Sequence, residues 1–85
     1  MRERNIARRR LKFTFPPTLI TEPLIHELGH KFDIVTNVRR AEMVEDAGWV
    51  VLELEGSHEA ISSGVDWIAS KGVRVDPVGG SIVEG

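Results

Sequence analysis

Cysteine is missing from the 85 residues. Its absence excludes disulfides, thiolate metal sites and cysteine-ligated iron–sulfur clusters, and it suits a reducing compartment, so a cytoplasmic location is expected. Long apolar runs are missing too. The longest, Trp49-Val50-Val51-Leu52, is far too short to cross a bilayer, and no membrane insertion is expected. Nothing apolar near the start resembles a signal peptide. Aromatic residues are scarce: two tryptophans and three phenylalanines must fill a core with the Val, Ile and Leu set. A core that small leaves a single domain marginally stable without a partner. The sequence also has no GxGxxG fingerprint and no phosphate loop, so no cofactor is expected.

Hydrophobic residues make up 41% of the chain and charged residues 28%, the balance of a soluble globular domain. The net charge of −2 conceals an asymmetry. Residues 1–12 hold Arg2, Arg4, Arg8, Arg9, Arg10 and Lys12 against Glu3, so the remainder is strongly acidic. Residues 1–8 read as a basic flexible arm, 9–78 as the folded domain, and the glycine-rich 79–85 as a flexible tail.

Arg10-Leu-Lys-Phe-Thr-Phe15 alternates polar and apolar residues, which predicts a strand with Leu11, Phe13 and Phe15 inward, ended by Pro16-Pro17. Thr21 is placed to cap a helix that runs to about Phe32. A second strand is expected over 34–39 and a turn over 41–47. Gly48 to Glu55 predicts a strand with Val50, Leu52 and Leu54 on one face and Trp49, Val51, Glu53 and Glu55 on the other. Ser57 should cap a second helix carrying Ile61, Val65 and Ile68 as its apolar face, stopped at Gly72. A last strand is expected over 73–78. The order β-α-β-β-α-β gives a four-stranded antiparallel sheet with both helices on one face, leaving the other face bare.

His26-Glu27-Leu28-Gly29-His30 spells HExxH, the pattern in which two histidines one helical turn apart bind zinc and the glutamate acts as base. At about 100° per residue, Leu24, Ile25, Leu28 and Phe32 form one apolar stripe, and both histidines fall on the opposite side. A catalytic zinc also needs a third protein ligand, and His58, Glu53 and Glu55 lie in or beside the sheet, away from that side. The expectation is therefore no catalysis, with at most adventitious metal on His26 and His30.

Several stretches together resemble one known family. They are Arg10-Leu-Lys-Phe-Thr-Phe-Pro16, Glu22-Pro23-Leu24-Ile25, Lys31-Phe32-Asp33-Ile34, Asn37-Val38, Gly48-Trp49-Val50-Val51-Leu52-Glu53-Leu54-Glu55-Gly56 and Gly72-Val73-Arg74-Val75. In order and spacing they resemble the NIL domain, known as the C-terminal regulatory domain of methionine ABC-transporter ATPases and also as small free-standing proteins. The resemblance implies a ferredoxin-like, ACT-like α+β fold, pairing through the sheets, and methionine bound at the domain interface. It carries Asn37 and Val38 over as ligand-binding candidates. Arg39, Ala41 and Met43 occupy the neighbouring positions, Arg39 departing from the family's apolar residue.

The bare sheet face should present Trp49, Val51, Thr14 and Val35, with Lys12, Asn37, Arg39 and Glu53 around them. A large aromatic on an open sheet suits a partner better than water. The favoured expectation is a non-catalytic regulatory or interaction module: a homodimer through this face, with a small amino acid such as methionine near Asn37 and Val38, or a protein partner in its place. The alternative is a nucleic-acid binder using the arginine arm and the open face. The remote alternative is the zinc hydrolase.

Overall fold

The computed structural model describes residues 6–17, 23–44 and 47–78, and the backbone alone of Val44 and Ala47. The elements are β1 (Ile6–Phe15), α1 (Leu24–Phe32), β2 (Val35–Val44), β3 (Ala47–Ser57), α2 (His58–Ser70) and β4 (Arg74–Pro77). The strands form one antiparallel sheet in the order β2-β3-β1-β4. Both helices lie on the same face, α1 against β2 and α2, and α2 against β3 and β4. This is the ferredoxin-like arrangement.

Period-two alternation in β1 and β3 decides which side the helices cover. Leu11, Phe13 and Phe15 pair with Leu52, Val50 and Gly48, and all six are buried on the helix side. Leu24 and Leu28 of α1, Ile61 and Ile68 of α2, and Ile34 and Val73 close the core over them. Phe32 and Trp67 seal its outer edge, their rings 5.6 Å apart and tilted by 54°. Gly64 lets the helices approach. A Cβ there would lie 2.8 Å from both Ile34 Cδ1 and Leu28 Cδ1.

The helix ends follow local chemistry. Ser57 caps α2, its hydroxyl accepting a 3.0 Å bond from the Ala60 N–H. Gly72 follows α2 with a φ of 106°, a conformation glycine adopts without strain. At the end of α1, Asp33 takes the left-handed region instead, and the Ile34 N–H donates to the Gly29 carbonyl at 3.1 Å. α1 begins at Leu24 after Pro23; the expected cap Thr21 lies outside the described residues.

Two expectations are corrected. Ile6, Ala7 and Arg8, expected in a flexible arm, belong to β1 and pair with Ser57, Gly56 and Glu55. Their partner strand extends far enough to supply hydrogen bonds that the local pattern does not announce. Ala41 to Val44, expected in a turn, continue β2, and Ala47 already belongs to β3, so only positions 45 and 46 separate the two strands. Ladder pairing along β3 overrides the weak strand propensity of this polar stretch. β2 also carries a register shift between Val38 and Arg40. It opposes the extra residue, Arg39, to no single partner, which is a β-bulge.

Two substitutions test this packing. Alanine at Gly29 gains helix propensity of about 1 kcal/mol, but its Cβ would sit 2.9 Å from the Ile34 carbonyl oxygen, closer than carbon and oxygen tolerate. Gly29→Ala should therefore lower the urea midpoint with an unchanged m value. Ser57→Ala should cost about 1 kcal/mol by the same measurement.

Candidate functional site

The sheet face away from the helices is built from residues that the register brings side by side. Row by row from β2, it carries Val35, Glu55 and Arg8, then Asn37, Glu53 and Arg10. Next come Arg40, Val51, Lys12 and Asp76, and then Glu42, Trp49, Thr14 and Arg74. The last two rows span all four strands, and Trp49 and Val51 occupy β3 within them. Val51 is 9% exposed although no helix covers it, so its neighbours' side chains lean over it. Trp49 is half-buried, with the Lys12 ammonium 4.9 Å from its ring centroid.

Ion pairs cross the face. Glu53 Oε1 accepts from Arg10 Nη2 at 3.2 Å and lies 3.9 Å from Arg39 Nη1, so one carboxylate serves two strands. Arg8 lies 3.6 Å from Glu55, and Arg74 Nε donates to Asp76 at 3.0 Å. Six basic residues (Arg8, Arg10, Lys12, Arg39, Arg40, Arg74) stand on or beside this face against four acidic ones (Glu42, Glu53, Glu55, Asp76). The face is net positive in a chain whose net charge is −2.

The four residues Trp49, Val51, Thr14 and Val35 lie on the side of the sheet away from the helices. Thr14 and Trp49 are direct partners, with Val51 in the next row. Val35 is 58% exposed but lies at the far end, opposite Glu55. The five ligand candidates divide. Asn37 is opposite Glu53, and Arg39 reaches Glu53, so both belong to the open face. Val38, Ala41 and Met43 pair with Leu52, Val50 and Gly48 and so take the helix side of the edge strand. The Met43 side chain fills the space beside Gly48 where a Cβ would stand, and it remains 58% exposed, as Val38 remains 61% exposed. The bulge produces this division. It also brings Arg40 and Glu42 onto the open face, two residues that alternation from Val35 assigns to the other side. One signal was available: Val38 and Ala41, both apolar, are three apart, an interval that strict alternation cannot place on one face.

On α1, Leu24 and Leu28 are buried, and His26 and His30 are exposed. The imidazoles stack on each other, centroids 5.6 Å apart and planes 24° from parallel. Among the described residues no third histidine, aspartate or glutamate joins them in a metal-binding group. The helix is rotated as its apolar stripe requires, and His26, Glu27 and His30 are all exposed. Among the described residues no helix is long and apolar enough to cross a membrane.

Among the described residues, both helices cover one face of this ferredoxin-like sheet and none covers the other. Residues 9–77 match the model of the NIL domain. The chain belongs to the NIL domain family. The match spans nearly the whole described part of the chain, from the middle of β1 to the last residue of β4. Among solved structures, this NIL domain is similar to the C-terminal domain of an ABC transporter ATP-binding protein from Enterococcus faecalis. The TM-score is 0.74 over 86% of each chain, at 13% identity, a likeness of fold alone. No curated protein matches the chain.

Glu53→Ala should remove the partner shared by Arg10 and Arg39. The expected loss is about 1 kcal/mol or less, since the guanidiniums are partly solvated, and it should shrink in 1 M salt. Urea unfolding at two ionic strengths checks both statements.

Proposed function

We propose that this NIL domain is a non-catalytic regulatory or interaction module. It works through the open face of its sheet by pairing with a second copy, and it senses a small amino acid such as methionine at the rim of that pair. The observation that carries this is the position of Trp49 and Val51: an aromatic and an aliphatic residue at the widest part of a face that no helix among the described residues covers. Residues of that kind, surrounded by charged side chains, have the anatomy of an interface core and its rim. The opposite face is already occupied by α1 and α2.

The rim on the β2 side supports a ligand position. β2 is an edge strand, so one molecule at its free edge meets Asn37 and Arg39 from one face and Val38, Ala41 and Met43 from the other. The exposed Val38 and Met43 side chains suit a thioether or aliphatic tail. The exposed, outward-stacked imidazoles of the HExxH segment favour a solvated helix surface over a zinc hydrolase site, which needs its histidines facing a walled cleft.

Sedimentation of the full chain tests the pairing. The parent should sediment as a dimer and Trp49→Ala as a folded monomer; an equally stable dimer of the variant contradicts pairing through this face. Thermal unfolding tests the sensing. A bound amino acid at about 100 times its Kd should add about 2.7 kcal/mol.

A further inference from the structure

The bulge does more than interrupt a ladder. It turns Arg40 and Glu42 of the edge strand toward the open face, so that Arg40 stands opposite Val51 while Arg39, just before it, reaches Glu53. Bulges commonly re-aim a side chain in this way. Three of the four acidic residues of the face are already engaged: Glu53 by Arg10 and Arg39, Glu55 by Arg8, and Asp76 by Arg74. The fourth, Glu42, makes no ion pair with Arg40. Among the described residues Arg40 has no carboxylate partner, and neither does Lys12, whose ammonium rests on Trp49. Arg40 and Lys12 flank Val51 from the two neighbouring strands, their backbones about 10 Å apart at ordinary strand spacing. Two cations outside any ion pair thus straddle an apolar residue, beside a tryptophan and one row from Asn37.

We propose that Arg40 is the anchor for the carboxylate of the ligand, with Lys12 as the second cation across Val51. The proposal rests on the small-amino-acid reading above and names the part of the ligand that this face recognises. A guanidinium presents two parallel N–H donors that match a carboxylate's two oxygens. An anion there offsets the excess positive charge of the face, and this matters most when a second copy brings the same excess against it. An exposed ion pair is worth little in water, so the anchor gains its strength as water is excluded from the paired faces. In this arrangement the ligand's charge couples binding to pairing: the anion stabilises the dimer, and the dimer tightens the anion.

Two arms on the full-length chain test the anchor. In the first, labelled protein is titrated with methionine and with methioninol, which keeps the side chain and amine but replaces the carboxylate by a hydroxymethyl group. Methionine should shift the Trp49 indole resonance, and methioninol should bind at least about tenfold more weakly, the worth of a lost charge-assisted hydrogen bond. In the second, Arg40→Gln should weaken methionine by a similar factor, with partial recovery in Arg40→Lys. Arg40 is exposed, so both variants should keep the parent's dispersed spectrum. Equal binding of methioninol, or undiminished methionine binding by Arg40→Gln, overturns the anchor while leaving amino-acid sensing intact. No binding of methionine, glutamate or acetate by the parent overturns the anchor and the sensing together. Binding of an acidic peptide or an oligonucleotide in their place assigns the cations to a different occupant and overturns the anchor as well.

Discussion

The pairing of β1 with β3 governs the molecule. Ten consecutive partners, from Ile6 with Ser57 to Phe15 with Gly48, run without a break through the two central strands. Side chains alternate at every step, so a slip of one residue would send Leu11, Phe13, Leu52 and Leu54 into water and bring Lys12 and Glu53 under the helices. Burying those aliphatic and aromatic groups is worth about 1.5–3 kcal/mol each, and no ion pair on the open face approaches that sum. The register is therefore set by the covered side, and the charges of the open side follow from it. The interleaving of Arg8, Arg10 and Lys12 with Glu55, Glu53 and Val51 is a consequence of core packing that the chain uses for ion pairing.

Against this rigid centre the edge strand departs from regularity. β2 follows β3 in register from Val35 to Val38, takes up one extra residue, and continues to Val44. The departure separates residues that the family pattern keeps together along the chain, Asn37 on one face and Ala41 and Met43 on the other, and it supplies the open face with Arg40. An edge strand tolerates this because only one of its sides is bonded. The part of the sheet with greatest geometric freedom is thus also the part where a ligand or a second copy meets the fewest obstacles.

Most of this architecture could be read in the sequence because two periodicities carry it. The alternation in 10–15 and 48–55, the Leu24, Leu28, Phe32 stripe of α1 and the Ile61, Val65, Ile68 stripe of α2 are hydrophobic patterns, and burial enforces them. The rotation of α1 followed from the same logic, which is why the HExxH histidines were expected on its wet side and lie there. The ends of elements were less legible. Ile6 to Arg8 and Ala41 to Val44 are strand because a neighbour offers hydrogen bonds, and that information resides in the partner's length. The bulge lies between Val38 and Arg40, with no glycine to mark it, and beyond it the residues of β2 face the side opposite to the one alternation from Val35 would give them.

The measurement that bears most directly on the open face as the working surface is the exposure of named side chains to a soluble paramagnetic probe, followed from dilute to concentrated protein. If the molecule acts through the helix-free face, relaxation of the Val51 methyls and the Trp49 indole should fall as pairing proceeds, while His26 and His30 stay as exposed as in the monomer. Protection of the two imidazoles with unchanged exposure of Trp49 and Val51 would contradict it and move the functional surface to α1.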